Sequence, residues 1–556
     1  MRCKNDTPES TLRAIQAQTE LYLSALSGHK GQIEPESKMP AISLIPTRPE
    51  TRLLLAGLAL LLALRVAAIL ASPFNLYADE AQYWRWSQEL AWGYYSKPPM
   101  IAWVIHLMTS LFGNSEAAVR LAAPFLHTAA AVFLYLAGRA MFSAKTGLYA
   151  AFLYALMPAV TLSSNVLSTD GVLMPFWCAA LFLAWRLRTG GGLWTGAALG
   201  AALGLGILSK YAMLYFLIGL ALTAALDAPM RRALLSRAGL AVLAVTGAII
   251  APHFAWNAAN DFQTIGHTVD NANLGGELFN PENALSYFTD QLGVFGPVSF
   301  LALLAGLAGW RTRSEDGAPA RWLLCFILPV LVFILAQAVL SRAHANWAAT
   351  AYPGAALLVA SWFAGRRSVL WSSLGVNGLI AALFLAVPFL TPAQTEALGV
   401  DNALKRTRGW DTAAMQVFAE AERLGATAVL VDDREAWHGL DFYSQERSVP
   451  LISWRRYGAP KSYSERLPLD ASNDARVLVA SIHAGMRPKV RSDFASFEPV
   501  GQVRISLGKR GNGCPITRVF QLYVASGYAP AERTADWEAS LEGQAEYPEP
   551  PCPAKE

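Results

Sequence analysis

Residues 51–80 read TRLLLAGLALLLALRVAAILASPFNLYADE, an apolar run followed closely by two adjacent carboxylates. The apolar part, residues 51–71, has the length that an α-helix needs to cross the hydrocarbon core of a bilayer, about 20 residues. Asp79 and Glu80 come soon after it. The segment therefore predicts a membrane span with two acidic side chains near the surface at which the span ends.

Similar apolar runs recur as far as roughly residue 390. The 556-residue chain is 54% hydrophobic and only 15% charged, whereas soluble domains carry about 25% charged residues. The net charge of +4 gives no indication of a nucleic-acid partner. We expect a polytopic α-helical membrane protein with about eleven transmembrane helices. The predicted spans are 51–71, 118–142, 146–161, 170–187, 193–208, 211–226, 236–252, 291–310, 321–340, 346–364 and 369–390.

The connections between these runs differ in positive charge. Alternate connections are rich in Lys and Arg, and cytoplasmic loops carry such an excess. The N-terminus is therefore predicted to be cytoplasmic, and an odd number of spans places the C-terminal part outside. The connections predicted to be cytoplasmic contain Arg48, Arg52, Arg139, Lys145, Arg186, Arg188, Arg231, Arg232, Arg237, Arg311, Arg313, Arg321, Arg366 and Arg367.

This pattern divides the chain into three regions. Residues 1–50 are predicted to be a disordered cytoplasmic extension, and residues 51–392 a transmembrane domain. Two long external loops interrupt that domain, at 72–117 and 253–290. The first is rich in Trp and Tyr and suits helices lying in the membrane interface, whereas the second suits a loop over a site.

Residues 393–556 are predicted to form a soluble α/β domain. DTAAMQVFAEAERLGA has the period of an amphipathic helix, and TAVLVDD, ARVLVASI, GQVRISL and TRVFQLYVA have the composition of strands. If the domain lies outside the cytoplasm, Cys514 and Cys552 are able to pair, but spacing alone does not decide this.

The first external loop contains three charged candidates. Aromatic residues surround Asp79 and Glu80, which argues for partial burial, and a buried carboxylate can serve as a general base. Lys97 stands in Tyr95-Ser96-Lys97-Pro98-Pro99, where the prolines restrict the backbone and a lysine can bind an anion. The alternatives are a solvated acidic pair and a lysine that contacts lipid phosphates.

Other polar residues fall at the external ends of later spans. Asp170 begins one span and is alternatively only a helix cap. Each residue alone is weak evidence, but together with the first loop they predict one external cavity, with carboxylates on one wall and cations on another. The remaining candidates are Lys210, His253, Arg342, His344, Asn346 and Tyr352.

The motifs ADEAQYW, SKPP, STDG, SKY and HANW, in this order, resemble the membrane glycosyltransferases of the C-type fold (GT-C). The similarity covers roughly residues 50–390. It points to the group that contains protein O-mannosyltransferases, the lipid A aminoarabinose transferase and the rhizobial galacturonic acid transferases of lipopolysaccharide.

The resemblance implies a sugar donor carried on polyprenyl phosphate and an acceptor in the cell envelope: lipid A or lipopolysaccharide, another glycan, or protein. Asp79 would activate the acceptor, Glu80 would help to shape the catalytic site, and Lys97 would bind the donor phosphate. Tyr95, Asp170, Lys210, Arg342, His344, Asn346 and Tyr352 would contact substrate. The expected location is the bacterial inner membrane, with the C-terminal domain periplasmic and membrane lipids as neighbours.

In some aminoarabinose transferases a Glu that helps to bind a metal precedes the Lys of the KPP motif, and here Ser96 stands there. We therefore expect no required cofactor or metal, with a divalent metal left open. The competing hypotheses are a transporter or flippase for a lipid-linked substrate and a non-catalytic membrane scaffold. A transporter site would favour charged or broken segments inside the spans.

Overall fold

The computed structural model describes residues 48–270, 279–309, 317–458, 460–469 and 476–544. The described residues from Leu53 onward form one compact unit. The predicted disordered extension, residues 1–50, lies almost wholly outside the described residues, as do Cys3 and Cys552. Cys514 takes part in a disulfide, but its predicted pairing with Cys552 stays a prediction.

The membrane part consists of apolar helices with short connections. Its helices are α1 (Pro49–Leu70), α2 (Ala78–Ser87), α3 (Met100–Phe112), α4 (Glu116–Arg120), α5 (Ala122–Met141), α6 (Ala144–Ala155), α7 (Pro158–Ser163), α8 (Thr169–Arg188), α9 (Leu193–Ser209), α10 (Leu214–Leu226), α11 (Ala228–Leu234), α12 (Arg237–Ala259), α13 (Gln263–Asp270), α14 (Pro281–Phe295), α15 (Pro297–Ala308), α16 (Gly317–Leu340), α17 (Tyr352–Trp362) and α18 (Arg367–Ala386).

The described helices do not confirm eleven spans. Six are long and apolar enough to cross a membrane, or up to eight if α10 with α11 and α14 with α15 each count as one bent span. The predicted span 146–161 is two short helices, because Pro158 lacks an amide hydrogen and begins α7 after a break at Met157. Residues 346–364 likewise divide into a 3₁₀ segment, Ala345–Ala351, and α17.

The two predicted loops are largely helical. The first contains α2 and α3, and their position in the membrane interface stays a prediction. The prediction of a loop at 253–290 is wrong for most of its described residues, since they belong to α12, α13 and α14. Its Asn, Asp and Gly content hid the helical pattern, and residues 271–278 lie outside the described residues.

The C-terminal part contains a five-stranded mixed sheet. Strands β1 (Ala428–Val431) and β3 (Val477–Ser481) lie within two of the segments predicted as strands, whereas β4 (Phe494–Lys509) and β5 (Pro515–Tyr528) contain the other two and extend beyond them. The sequence analysis missed the short β2 (Leu451–Ser453). The order is β2-β1-β3-β5-β4, with β1 parallel to β2 and β3, and β5 antiparallel to β3 and β4.

Several helices flank this sheet. They are α19 (Pro392–Ala397), α20 (Asp401–Leu404), α21 (Trp410–Arg423), α22 (Arg434–Tyr443), α23 (Arg487–Arg491) and α24 (Ala535–Ser540). The amphipathic helix predicted at 411–426 corresponds to α21. Its buried residues, among them Val417 and Phe418, pack in the core of the domain with strand residues such as Val429.

The sheet domain holds the backbone that leads into α2. The Asn75 side-chain oxygen accepts the backbone N–H of Trp410 at 2.9 Å, and the Leu76 N–H donates to the Tyr443 hydroxyl at 2.8 Å. Arg406 donates to the hydroxyl of Tyr77 at 2.8 Å. The position of the acidic pair that follows is therefore set by both parts of the chain.

Candidate active site

The two adjacent carboxylates have different surroundings. Glu80 is 1% exposed and forms a salt bridge with Arg120 at 2.8 Å. Its carboxylate also accepts the backbone N–H groups of Tyr77, at 3.0 Å, and Leu167, at 3.1 Å. A carboxylate so enclosed stabilises the start of α2, and the role of Glu80 in shaping the catalytic site stays a prediction.

Asp79 is not enclosed in this way and remains about half exposed. Its Oδ1 atom accepts hydrogen bonds from Nη1 and Nη2 of Arg434, both at 3.1 Å. Arg434 is the first residue of α22, in the sheet domain, and its Nη1 also donates to Gln82. The partial burial predicted for Asp79 is therefore observed, but its partner comes from a distant part of the sequence.

Lys97 is held by a fixed loop. The Tyr94 N–H donates to the Lys97 carbonyl at 3.1 Å, while the Tyr94 ring stacks on Trp86 at 4.9 Å between centroids. Burial lowers the pKa of the Lys97 ammonium, and the neighbouring charge of Lys210 lowers it further, whereas Asp79 and Asp170 act against this. Among the described residues Lys97 has no ion-pair partner.

Asp170, Lys210 and Asn346 form a second polar group. Asp170 lies in the first turn of α8, and Lys210 is the residue at which α9 ends, so two consecutive antiparallel helices present these side chains at one end of the bundle. Asp170 accepts from Lys210 Nζ at 2.7 Å and from Asn346 Nδ2 at 2.8 Å. The contact unites three motifs far apart in sequence.

These two groups form a single polar cluster, defined here as Asp79, Lys97, Asp170, Lys210 and Arg434. The charges of the other four act on the ammonium of Lys97. Asp79 and Asp170 are each paired with a cation, and the expected arrangement of carboxylates on one wall of a cavity and cations on another stays a prediction. Pairing lowers the cost of holding such charges in a partly buried site.

The remaining candidates lie in other environments. Tyr352 is fully buried, donates to Gln291 at 2.6 Å and stacks on Phe295, so it packs the helix bundle. Arg342 and His344 are exposed in the segment before Asn346.

Tyr95 contacts the ring of His267 edge-on, with 5.7 Å between centroids. The charge of Lys97 acts on this imidazole, and burial together with Lys97 and Arg434 lowers the pKa of His267. His253 is instead a structural residue, whose ring bonds the Trp92 carbonyl at 2.5 Å and the Tyr211 hydroxyl at 2.7 Å.

A cavity of about 350 Å³ adjoins Tyr95. It lies between the loop after α2, helices α12 and α13, and the sheet domain. Its lining includes the aromatic rings of Trp256 and Tyr463 and the ion pair of Glu89 with Arg466, at 2.8 Å. Aromatic faces combined with charged groups suit a polar ring-shaped ligand.

Within the described ranges, no three His, Cys, Asp or Glu side chains converge as metal ligands. Two of the clustered carboxylates are instead held by nitrogen donors. The absence of a required metal stays a prediction.

The sequence analysis missed Arg434 and Gln82. Gln82 follows Asp79 by three residues, the helical spacing that places side chains on one face. Arg434 follows the predicted strand TAVLVDD, and residues beyond the carboxyl ends of strands often bind ligands in α/β domains. Both signals were present, but neither indicated contact with the transmembrane domain.

Comparison with known proteins identifies the relatives of this chain. The profile of the dolichyl-phosphate-mannose-protein mannosyltransferase family matches residues 96–256, which include three members of the polar cluster. The lipid A galacturonosyltransferase of Rhizobium johnstonii is 33% identical over 416 residues, covering 73% of this chain and 86% of that protein. This chain belongs to the GT-C glycosyltransferase family. The resemblance seen in the motifs is thereby confirmed.

Solved GT-C glycosyltransferases show the same fold. ArnT of Cupriavidus metallidurans bound to undecaprenyl phosphate matches with a TM-score of 0.59 and 14% identity, covering 88% of this chain and 99% of ArnT. The apo structure of ArnT gives the same TM-score and coverage, with 15% identity. The likeness shows a shared fold over most of the chain.

Proposed function

We propose that this GT-C glycosyltransferase moves a sugar of the uronic acid class from a polyprenyl-phosphate donor to lipid A or a related envelope glycan. The observation that carries the proposal is the polar cluster, in which Lys97 lies near the half-exposed carboxylate of Asp79 and has no ion-pair partner among the described residues. The relative that acts on lipid A supports the acceptor and the sugar class. The ArnT complex supports a polyprenyl-phosphate donor.

Lys97 binds the phosphate of the donor in this proposal. An ammonium that burial has partly stripped of water gains more from an incoming anion than a fully hydrated one does. Lys210 strengthens the attraction of the site for phosphate, while Asp170, which also accepts a hydrogen bond from Asn346, holds Lys210 in place. The leaving group is a monophosphate, so these cations can stabilise it without a metal.

Asp79 acts as the general base. The acceptor hydroxyl oxygen attacks the anomeric carbon from the face opposite the phosphate, and its proton passes to the Asp79 carboxylate. The bond between the anomeric carbon and the phosphate oxygen breaks as the new glycosidic bond forms. Polyprenyl phosphate leaves, and the configuration at the anomeric carbon inverts.

The other predicted residues act around this centre. Glu80, through Arg120, fixes the turn that presents Asp79, so we assign it a positioning role. Tyr95 and the adjoining aromatic cavity form the acceptor side. Arg342 and His344 lie near enough in sequence to Asn346 to contact a bound substrate. Tyr352 supports the bundle.

We also propose that the cluster faces the periplasm. The alternation of Lys- and Arg-rich connections puts the ends that carry Asp170 and Lys210 outside. The sheet domain lies on the same side, since Arg434 reaches Asp79. The lipid tail of the donor would then stay in the outer leaflet while its sugar enters the site.

Asp79→Asn tests the proposal in the purified protein, reconstituted in nanodiscs with a polyprenyl-phosphate uronic acid and lipid A. Loss of the base should lower kcat by about 10²- to 10⁴-fold, with product measured by mass spectrometry. Asp536→Asn, an exposed substitution in α24, is the matched control and should leave kcat unchanged.

Full turnover by Asp79→Asn would reject the base assignment. A wild-type protein that transfers no sugar to any envelope acceptor, yet moves the lipid-linked donor across the bilayer, would favour the transporter hypothesis. Family membership gives that hypothesis no support at present.

A further inference from the structure

Arg434 belongs to the sheet domain, but its side chain makes no described contact that would stabilise that domain. Arg434 is the first residue of α22, and a cation at a helix N-terminus opposes the helix dipole. Its described partners are both on α2: Asp79 and Gln82. The positive charge of Arg434 therefore acts on α2, the helix that carries Asp79.

The guanidinium uses only part of its hydrogen-bonding capacity there. Both of its terminal nitrogens bond the same oxygen, Oδ1 of Asp79, instead of taking one oxygen each. Among the described residues, Nε has no acceptor, and an arginine has five N–H donors. The edge formed by Nε and Nη2 thus keeps the donors that suit the two oxygens of a second, planar carboxylate.

Two cations of the polar cluster have N–H groups without an acceptor among the described residues. Lys210 is occupied by Asp170 at 2.7 Å. Lys97 has no described ion-pair partner, and Arg434 is 43% exposed with its Nε donor unused. A uronic acid on polyprenyl phosphate carries two anionic groups, the phosphate at its anomeric carbon and the carboxylate at the far side of the ring. A neutral hexose on the same carrier has only the phosphate.

We propose that Arg434 binds the carboxylate of the donor sugar and so selects a uronic acid over a neutral hexose. The proposal rests on the transferase function given above. Lys97 takes the phosphate and Arg434 the carboxylate, so the sugar is held at two points and its anomeric carbon is fixed between them. Discrimination arises because a neutral sugar leaves the guanidinium edge without an anionic partner.

The binding also affects the base. A guanidinium shared between Asp79 and a donor carboxylate donates less strongly to Asp79 than one that serves Asp79 alone. The donor would thereby make the Asp79 carboxylate a better acceptor for the hydroxyl proton. Arg434 thus links the identity of the donor sugar to the ability of Asp79 to accept a proton.

Arg434→Gln and Arg434→Lys test the assignment in the full-length protein in nanodiscs. Each variant is assayed with two donors, polyprenyl-phosphate galacturonic acid and its carboxyl-reduced counterpart, polyprenyl-phosphate galactose. We expect Arg434→Gln to lower kcat/KM for the uronyl donor by about 100-fold, mostly through KM, and to change that for the neutral donor by less than about threefold. Arg434→Lys keeps the charge but loses the planar fork and should fall between.

Arg406→Gln is the matched control, because Arg406 also reaches from the sheet domain to the start of α2, at the hydroxyl of Tyr77. It should affect both donors equally. The quantity compared among the variants is the ratio of kcat/KM for the uronyl donor to kcat/KM for the neutral donor. If the wild type does not turn over the neutral donor, the inhibition constants of soluble galacturonic acid 1-phosphate and galactose 1-phosphate supply an equivalent ratio. If Arg434→Gln does not fold, the ratio for Arg434→Lys decides.

An equal loss on both donors would overturn the proposal and leave Arg434 as a residue that positions Asp79. A wild type that uses the galactosyl donor as well as the galacturonosyl donor would overturn it too. A wild type that transfers neither sugar would instead reject the proposed function. The two failures are therefore distinguishable.

Discussion

Two neighbouring carboxylates of this protein differ in burial and in hydrogen-bond partners. Asp79 and Glu80 are adjacent, but successive residues of an α-helix point about 100° apart. Glu80 therefore turns inward to Arg120, while Asp79 remains half exposed beside Arg434. The sequence shows that a pair of carboxylates is present, whereas the direction of each depends on where α2 begins and what packs against it.

Lys97 combines a binding role with a cost in stability. Its pKa is lowered because the ammonium is buried and lies near Lys210. A cation whose pKa is lower in the folded state than in the unfolded state destabilises the fold at every pH below the folded pKa. The cost disappears as the pH rises above the unfolded value of about 10.4.

Lys97→Met should therefore raise the apparent melting temperature at pH 7, and the gain should vanish near pH 10.4. The same change should raise KM for the polyprenyl-phosphate donor by about 10- to 100-fold, the equivalent of a lost charge-assisted hydrogen bond of about 1.5–3 kcal/mol. Thermal unfolding across pH and donor titration measure the two effects.

Lys145→Met, at an exposed position in the first turn of α6, is the control and should change neither quantity. Unchanged donor KM in Lys97→Met would contradict the phosphate role. A lower melting temperature would show that the Lys97 charge is stabilised by partners in the folded protein.

Helix ends carry most of the candidate site. Asp170 lies in the first turn of α8 and Lys210 at the end of α9, so a hairpin of two helices brings them to the same level. The Ser168 side chain caps α8 by accepting the N–H of Gly171 at 3.2 Å. The orientation of Asp170 therefore depends on the same cap that begins the helix.

Ser168→Ala should remove this cap, at a cost of about 1 kcal/mol in the free energy of unfolding. Because the first turn of α8 would fray, the contact of Asp170 with Lys210 should weaken and donor KM should rise several-fold. Ser236→Ala removes a comparable cap from α12, where Ser236 accepts the N–H of Ala238 at 3.1 Å. That variant should lose similar stability without a change in donor KM. Equal donor KM values in the two variants would contradict the proposed dependence of the Asp170–Lys210 contact on the Ser168 cap.

At the scale of the whole molecule, the sheet domain completes the active site. Its helix α22 packs on α2, and Asp441 in α22 is buried while paired with Arg85 of α2 at 2.5 Å and with Arg447 at 2.9 Å. Arg434 stands at the opposite end of the same helix. Any loosening of α22 should therefore reach Asp79.

Asp441→Asn should destabilise the protein by about 3–5 kcal/mol, because it leaves two arginines without their buried partner. It should also lower kcat/KM, since α22 also carries Arg434. Glu420→Gln breaks an exposed ion pair with Arg423 and should change the free energy of unfolding little. Denaturant unfolding and transfer assays measure both, and similar behaviour of the two variants would refute the proposed coupling.

The sequence by itself determined the multi-span membrane character, most strands of the sheet domain and the family, because apolar length, strand composition and short motifs are local properties. It also identified Asp79, Lys97, Asp170 and Lys210 as candidates. It did not determine the helix breaks near Pro158, the inward turn of Glu80 or the burial of Tyr352. Only the tertiary structure paired Asp79 with Arg434, 355 residues away. Such contacts depend on how α22 packs on α2, and no local pattern encodes that packing.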